Sequence, residues 1–174
     1  MRKGLVHIYT GDGKGKTTAA VGMSLRAKGR GLNVLFTQFF KEKSALGEIP
    51  LLQQAGIDVI IFDTVKSPFF NPGIDRDRLS VEARLALSAI SECTVHRHYD
   101  LVILDEFICL IGERVISEPE AISFLQKRPA DQEVVLTGNG ATEGMISHAD
   151  YVTNMQKVKH PYALNTAARE GIEY

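Results

Sequence analysis

The segment Thr10-Gly-Asp-Gly-Lys-Gly-Lys-Thr-Thr18 constrains this chain more than any other feature, because it joins an apolar run, Leu5 to Tyr9, to a helical stretch, Lys16 to Lys28. A glycine-rich turn in that setting is a phosphate-binding loop, or P-loop. Gly11, Gly13 and Gly15 let the backbone turn its amides toward an anion, Lys16 reaches phosphate oxygens, and Thr17 carries a hydroxyl suited to magnesium. Thr10 stands where G-x-x-x-x-G-K-T has its first glycine, which marks a variant of the motif. A dinucleotide site is the weaker reading: the glycines lack G-x-G-x-x-G spacing, and the second run ends in Gln38-Phe-Phe-Lys41, without an acid for a ribose.

Further apolar runs read as strands: Val34 to Phe40, Val59 to Phe62, Leu101 to Leu104, Val134 to Thr137, and a short run near Tyr151 to Met155. Several are apolar throughout rather than alternating, as parallel strands covered on both faces are. Between them, Lys16 to Lys28 and Ile49 to Ala55 read as helices ended by Gly29 and Gly56. A long helix runs from near Asp75 to about His98 with Leu79, Ala83, Ala86 and Ile90 on one face, and another starts at Ser117, where Ser-Glu-Pro-Glu supplies a capping box. The repeated βα order predicts one α/β domain over 1–174. Its doubly wound, mostly parallel sheet has about six strands with helices on both faces, in the manner of P-loop NTPases of the RecA-like kind.

Twenty Lys and Arg against twenty-one Asp and Glu leave the 174-residue chain near neutrality, so nothing in the charge balance points to nucleic acid or a membrane surface. No apolar run approaches membrane-spanning length and no leader pattern precedes the first strand, so a cytoplasmic location is expected. Cys93 and Cys109 match neither a redox pair nor a zinc pattern and read as buried free thiols. His96 and His98 are two apart on a helix and face different directions; His7 reads as core or strand surface.

Leu101-Val-Ile-Leu-Asp105-Glu106 is an apolar strand ending in two carboxylates. With a P-loop upstream, such a strand is expected beside the P-loop, and Asp105 and Glu106 join Thr17 as magnesium candidates, held directly or through water. Thr137-Gly-Asn-Gly140 follows the fifth run and reaches the same sheet edge, as a ligand loop or as a plain turn. The one long irregular stretch, Asp63 to Gly73, has the length of a functional loop.

Together these segments resemble the CobA/BtuR/CobO family of corrinoid adenosyltransferases. The resemblance rests on Thr10 to Ala20, on Gln38-Phe-Phe-Lys41 followed by Gly47-Glu48, on Leu104-Asp-Glu106 and on Thr137-Gly-Asn-Gly140. It continues through Ala149-Asp150, Val158-Lys-His-Pro161 and Gly171-Ile-Glu-Tyr174, in family order over nearly the whole chain. It implies transfer of the 5′-deoxyadenosyl group of ATP to the Co(I) of a reduced corrinoid, with triphosphate released, in adenosylcobalamin biosynthesis or salvage. It also implies magnesium, a homodimer and an electron-donating reductase such as a flavoprotein. Lys16 and Glu106 are then the catalytic candidates. Gly11, Asp12, Gly13, Lys14, Gly15, Lys16, Thr17, Thr18, Gln38, Lys41 and Asn139 are candidates for binding ATP and corrinoid.

Three departures from the family pattern stand out. Family members exclude the lower axial ligand of cobalt with aromatic residues; here that segment is Ser67-Pro-Phe-Phe-Asn-Pro72, so Phe69 and Phe70 read either as this wedge or as loop anchors on the core. Asn139 replaces a common arginine. Longer members carry an N-terminal helical extension over the site, whereas this first strand starts almost at Met1, so corrin access differs or a partner completes the lid. An ATPase using Glu106, and a nucleotide-dependent corrinoid-binding or delivery protein with little catalysis, are the alternatives.

Overall fold

The computed structural model describes residues 3–41, 47–161 and 166–172. In chain order the elements are β1 (Val6–Thr10), α1 (Lys16–Lys28), β2 (Val34–Gln38), α2 (Glu48–Gln54), β3 (Asp58–Ile61) and α3 (Arg76–His96). There follow β4 (Leu101–Asp105), α4 (Phe107–Gly112), α5 (Glu118–Gln126), β5 (Glu133–Thr137), α6 (Glu143–Ser147) and β6 (Tyr151–Asn154). All six strands are parallel in the order β3-β2-β4-β5-β1-β6.

Side chains of alternating parity divide the core between the two sheet faces, as the period-two pleat requires. Val6, Ile8, Val102, Leu104, Val134 and Leu136 pack with Leu79, Ala83, Ala86 and Ile90 of α3 and with α4 and α5. Val34, Phe36, Leu101, Ile103 and Val135 pack against Ala20 of α1 and Ile49 and Leu52 of α2. The doubly wound reading of the continuous apolar strands therefore holds, with both faces covered.

The expected helix starts are also met. Asp75 caps α3 by accepting from the amides of Asp77 and Arg78, and Ser117 and Glu120 form the capping box of α5. Gly56 takes the left-handed conformation after α2, but after α1 it is Gly31 rather than Gly29 that does so.

The acidic strand ends beside the P-loop as expected, with Thr17 Oγ1 donating to Asp105 Oδ2 at 3.2 Å, although β5 lies between β1 and β4 in the sheet. The interposed strand ends in Thr137, whose side chain bonds to Asp105 and to the amide of Glu106 at the end of β4. The short helix α4 was not expected from the sequence.

Candidate functional site

Parallel strands deliver their carboxyl ends to one edge, and there β1 ends at Thr10, β2 at Gln38, β4 at Asp105 and β5 at Thr137. Gln38 and Asp105 are register partners on neighbouring strands, so their side chains emerge on the same side of the sheet. Gln38 Nε2 donates to Asp105 Oδ2 at 2.9 Å. Thr17 Oγ1, at the start of α1, donates to the same oxygen at 3.2 Å, and Thr137 Oγ1 donates to Asp105 Oδ1 at 2.6 Å. The carboxylate is fully buried, and burial, followed by the charge of Glu106, pushes its pKa above the usual range.

Lys16 Nζ donates to Gly11 O at 2.7 Å and to Gly13 O at 2.8 Å, so its ammonium lies across the loop. Thr10 Oγ1 accepts from Ala141 N at 3.1 Å. The hydroxyl that a leading glycine would lack thus ties the loop to the end of the Thr137–Gly140 segment. Gly11 and Gly13 have a reason beyond anion binding. A Cβ at either would meet Met155 O, at 2.5 and 2.6 Å, because the chain after β6 passes directly over the loop. Gly13 N is spent on that crossing, donating to Met155 O at 2.7 Å, which corrects the reading of this amide as turned toward an anion.

The same crossing holds Asp12, which accepts from Lys157 N at 2.9 Å; that bond is the main reason its carboxyl titrates below the usual range. Lys14 Nζ donates to Ile172 O at 2.9 Å, bringing the C-terminal stretch to the loop. Lys14, Lys157, Lys159, His160 and Arg169 line a cavity of about 440 Å³ there. Sequence reasoning missed this basic cavity because its residues come from opposite ends of the chain. Thr18 is exposed on the first turn of α1. Glu173 and Tyr174 of the terminal motif lie outside the described residues.

Glu106 follows Asp105 in a left-handed conformation, φ 62°, which costs a non-glycine residue about 1–2 kcal/mol. Its amide donates to Thr137 Oγ1 at 2.9 Å, and its carboxylate accepts from Cys109 Sγ at 3.0 Å. Burial, then the neighbouring Glu106 charge, raises the thiol pKa to about 12, so Cys109 is a neutral donor that orients Glu106. Cys109 was expected only as a buried thiol. It is partly buried, and its part in the site could have been suspected from its place three residues after Glu106 on a helix.

Lys41 lies three residues beyond β2, and its charge acts on Asp105, opposing the rise caused by burial. Asn139 is exposed beside this edge. Phe69 and Phe70 are 75% and 77% exposed and meet edge to face at 5.0 Å. Their loop is anchored by the fully buried Val65, so the reading of the two rings as core anchors is corrected.

The donor set suits magnesium. Thr17 and Asp105 offer hard oxygens, and magnesium takes only one or two protein oxygens alongside phosphates and water. No cluster of three or more His, Cys, Asp or Glu able to hold a metal exists among the described residues.

The model of the family "ATP:corrinoid adenosyltransferase BtuR/CobO/CobP" matches residues 2–174. Similar proteins include a corrinoid adenosyltransferase of Sinorhizobium sp., 35% identical over 99% of this chain and 81% of that protein. The corrinoid adenosyltransferase CobA of Salmonella typhimurium is 32% identical over 99% and 86%. Among solved structures, the flagellar accessory protein FlaH of Methanocaldococcus jannaschii aligns with TM-score 0.59 at 14% identity over 88% of this chain and 72% of that one. A KaiC-like protein of Pyrococcus horikoshii aligns at 0.52 and 18% over 88% and 73%. Both structural likenesses concern the fold alone.

Proposed function

Because this chain belongs to the ATP:corrinoid adenosyltransferase family, it carries out ATP-dependent adenosylation of corrinoids, and we propose that the edge built by Lys16, Thr17, Gln38, Asp105 and Glu106 is where it does so. The observation that carries this assignment is the convergence of three elements, α1, β2 and β5, on the Asp105 carboxylate of β4 beside a P-loop crossed by Lys16.

The electron pair of Co(I) attacks C5′ of ATP; the cobalt–carbon bond forms as C5′–O breaks, and the bonding pair departs with triphosphate, leaving cobalt formally Co(III). Cobalt is itself the nucleophile, so no protein base is required. The chain's task is to align C5′ with cobalt and to stabilise the charge gathering on the leaving group. Lys16, Lys14, Thr17, Thr18 and the amides of Gly11 and Gly15 suit that charge, and the basic cavity extends it. Asp12 holds the Met155–Lys157 crossing in place, with Gly13 as its other contact. Magnesium, when bound, neutralises triphosphate charge; Thr17 would hold it, with Asp105 and Glu106 behind. Lys41 and Asn139 flank the nucleotide.

Phe69 and Phe70 serve in this reading as the wedge on the lower corrin face. Their exposure supports it, since rings not needed by the core are available to a flat apolar ligand. We read residues 1–174 as one domain acting in the cytoplasm; no helix among the described residues is long and apolar enough to cross a membrane. An electron-donating partner such as a flavoprotein supplies Co(I). A homodimer is supported by the apolar exposure of Ile146, Tyr151 and Val152 on α6 and the edge strand β6.

Anaerobic incubation of the chain with ATP and a chemically reduced corrinoid, followed by absorbance and by triphosphate assay, tests the reading. Adenosylcorrinoid and triphosphate in equal amounts are expected. Orthophosphate release indifferent to corrinoid overturns it.

A further inference from the structure

Gln38 sits wholly inside the protein, and its Oε1 is the only buried side-chain nitrogen or oxygen without a hydrogen-bond partner among the described residues. Such an atom costs stability unless something donates to it. The amide cannot be turned to hide the oxygen. Its other end meets Asp105 Oδ2 at 2.9 Å, and two threonine hydroxyls already donate to that carboxylate, so it is the nitrogen that must face Asp105. The free acceptor therefore lies beside Asp105 by register, at the edge where Thr17 stands.

Three of the roughly four acceptor sites of the Asp105 carboxylate are already used. Oδ1 accepts from Thr137 and Oδ2 from both Gln38 and Thr17. A cation held by Thr17 would meet this carboxylate through a water, and magnesium keeps several of its waters. That water has two protons for two acceptors side by side on neighbouring strands. We propose that Gln38 is a positioning residue whose Oε1, together with Asp105, accepts from a water of the magnesium hydration shell and so fixes the Mg·ATP complex in the P-loop. This rests on the reading of Thr17 and Asp105 as the magnesium site.

The test is calorimetric titration of the full chain with ATP, in EDTA and in magnesium, for the natural protein and for Gln38→Met, which keeps length and bulk but cannot accept. Metal-free ATP affinity is expected to stay within about twofold, while the gain in affinity on adding magnesium shrinks about tenfold, the size of one lost bond to a charged partner. An unchanged magnesium gain overturns the proposal. So does an equal loss with and without metal, which would make Gln38 merely structural. If the variant does not fold, electron–nuclear double resonance on the natural protein with Mn·ATP in ¹⁷O-water decides: at least one metal-bound water is expected, and none overturns the proposal. A natural protein that binds ATP with no regard to magnesium sinks the underlying metal assignment, a result distinct from all of these.

Discussion

Lys16 donates to two carbonyls of its own loop, at 2.7 and 2.8 Å, which holds its ammonium across the loop that the proposed reading assigns to the triphosphate. Removing one such electrostatic contact costs about 3 kcal/mol in the transition state, on the order of a hundredfold in rate. Lys16→Ala is expected to lose about that much turnover with an unchanged circular dichroism spectrum; natural turnover in a folded variant would remove the P-loop from the mechanism. Thr137 predicts a different kind of loss. Its hydroxyl donates to buried Asp105 and accepts from Glu106 N. Thr137→Val leaves both groups short of a partner at nearly constant volume, and about 2–3 kcal/mol of stability should disappear in urea unfolding. These two residues also divide what the sequence discloses. Lys16 was legible because its chemistry follows from a local motif. The bonds of Thr137 to Asp105 and Glu106 were not, because only the strand order puts β5 next to the acidic strand. Nor was the loss of the Gly13 amide, whose partner Met155 lies far along the chain.

Among the elements, the strands were legible because parallel strands buried on both faces read as continuous apolar runs. Helices with caps were legible for the same kind of reason, whereas α4 begins at Glu106 in a left-handed conformation with no capping side chain. The capped helix α5 carries a pH prediction. Glu120 accepts from Arg84 Nε at 2.7 Å and from Ser117, and the Arg84 bond first, then Ser117, holds its carboxyl down at about 2. A depressed acid stabilises the fold above its unfolded value, near 4.5, and that contribution is lost as pH falls through about 2. The group is exposed, so solvent screening limits the whole effect to under about 1 kcal/mol. Glu120→Ala should therefore be less stable than the natural chain in urea at pH 7. The gap should close progressively between about pH 4.5 and 2, and a gap that widens on acidification would contradict the assignment.

At the scale of the molecule, strand order sets the distance between the two regions assigned to the two substrates. The P-loop follows β1 and the Phe69–Phe70 loop follows β3, four strand spacings apart in the sheet, or about 19 Å. Both follow carboxyl ends, so they border the same edge. Groups that far apart with no shared partner contribute independently, and their effects add to within about 0.5 kcal/mol. The double change Phe69→Ala and Phe70→Ala removes rings that the core does not use, so melting temperature and ATP affinity should stay at natural values. Adenosylation should fall most when an enzymatic reductant must generate Co(I), and less under strong chemical reduction, because a wedge acts on the ease of reduction rather than on the transfer itself. Combined with Lys16→Ala, the activation free-energy losses measured under chemical reduction should sum. A melting temperature that falls together with ATP affinity would return the rings to a structural role. Equal, natural activity with both reductants would take them out of the site, and a strongly non-additive triple variant would mean that the two ends of the sheet edge are coupled.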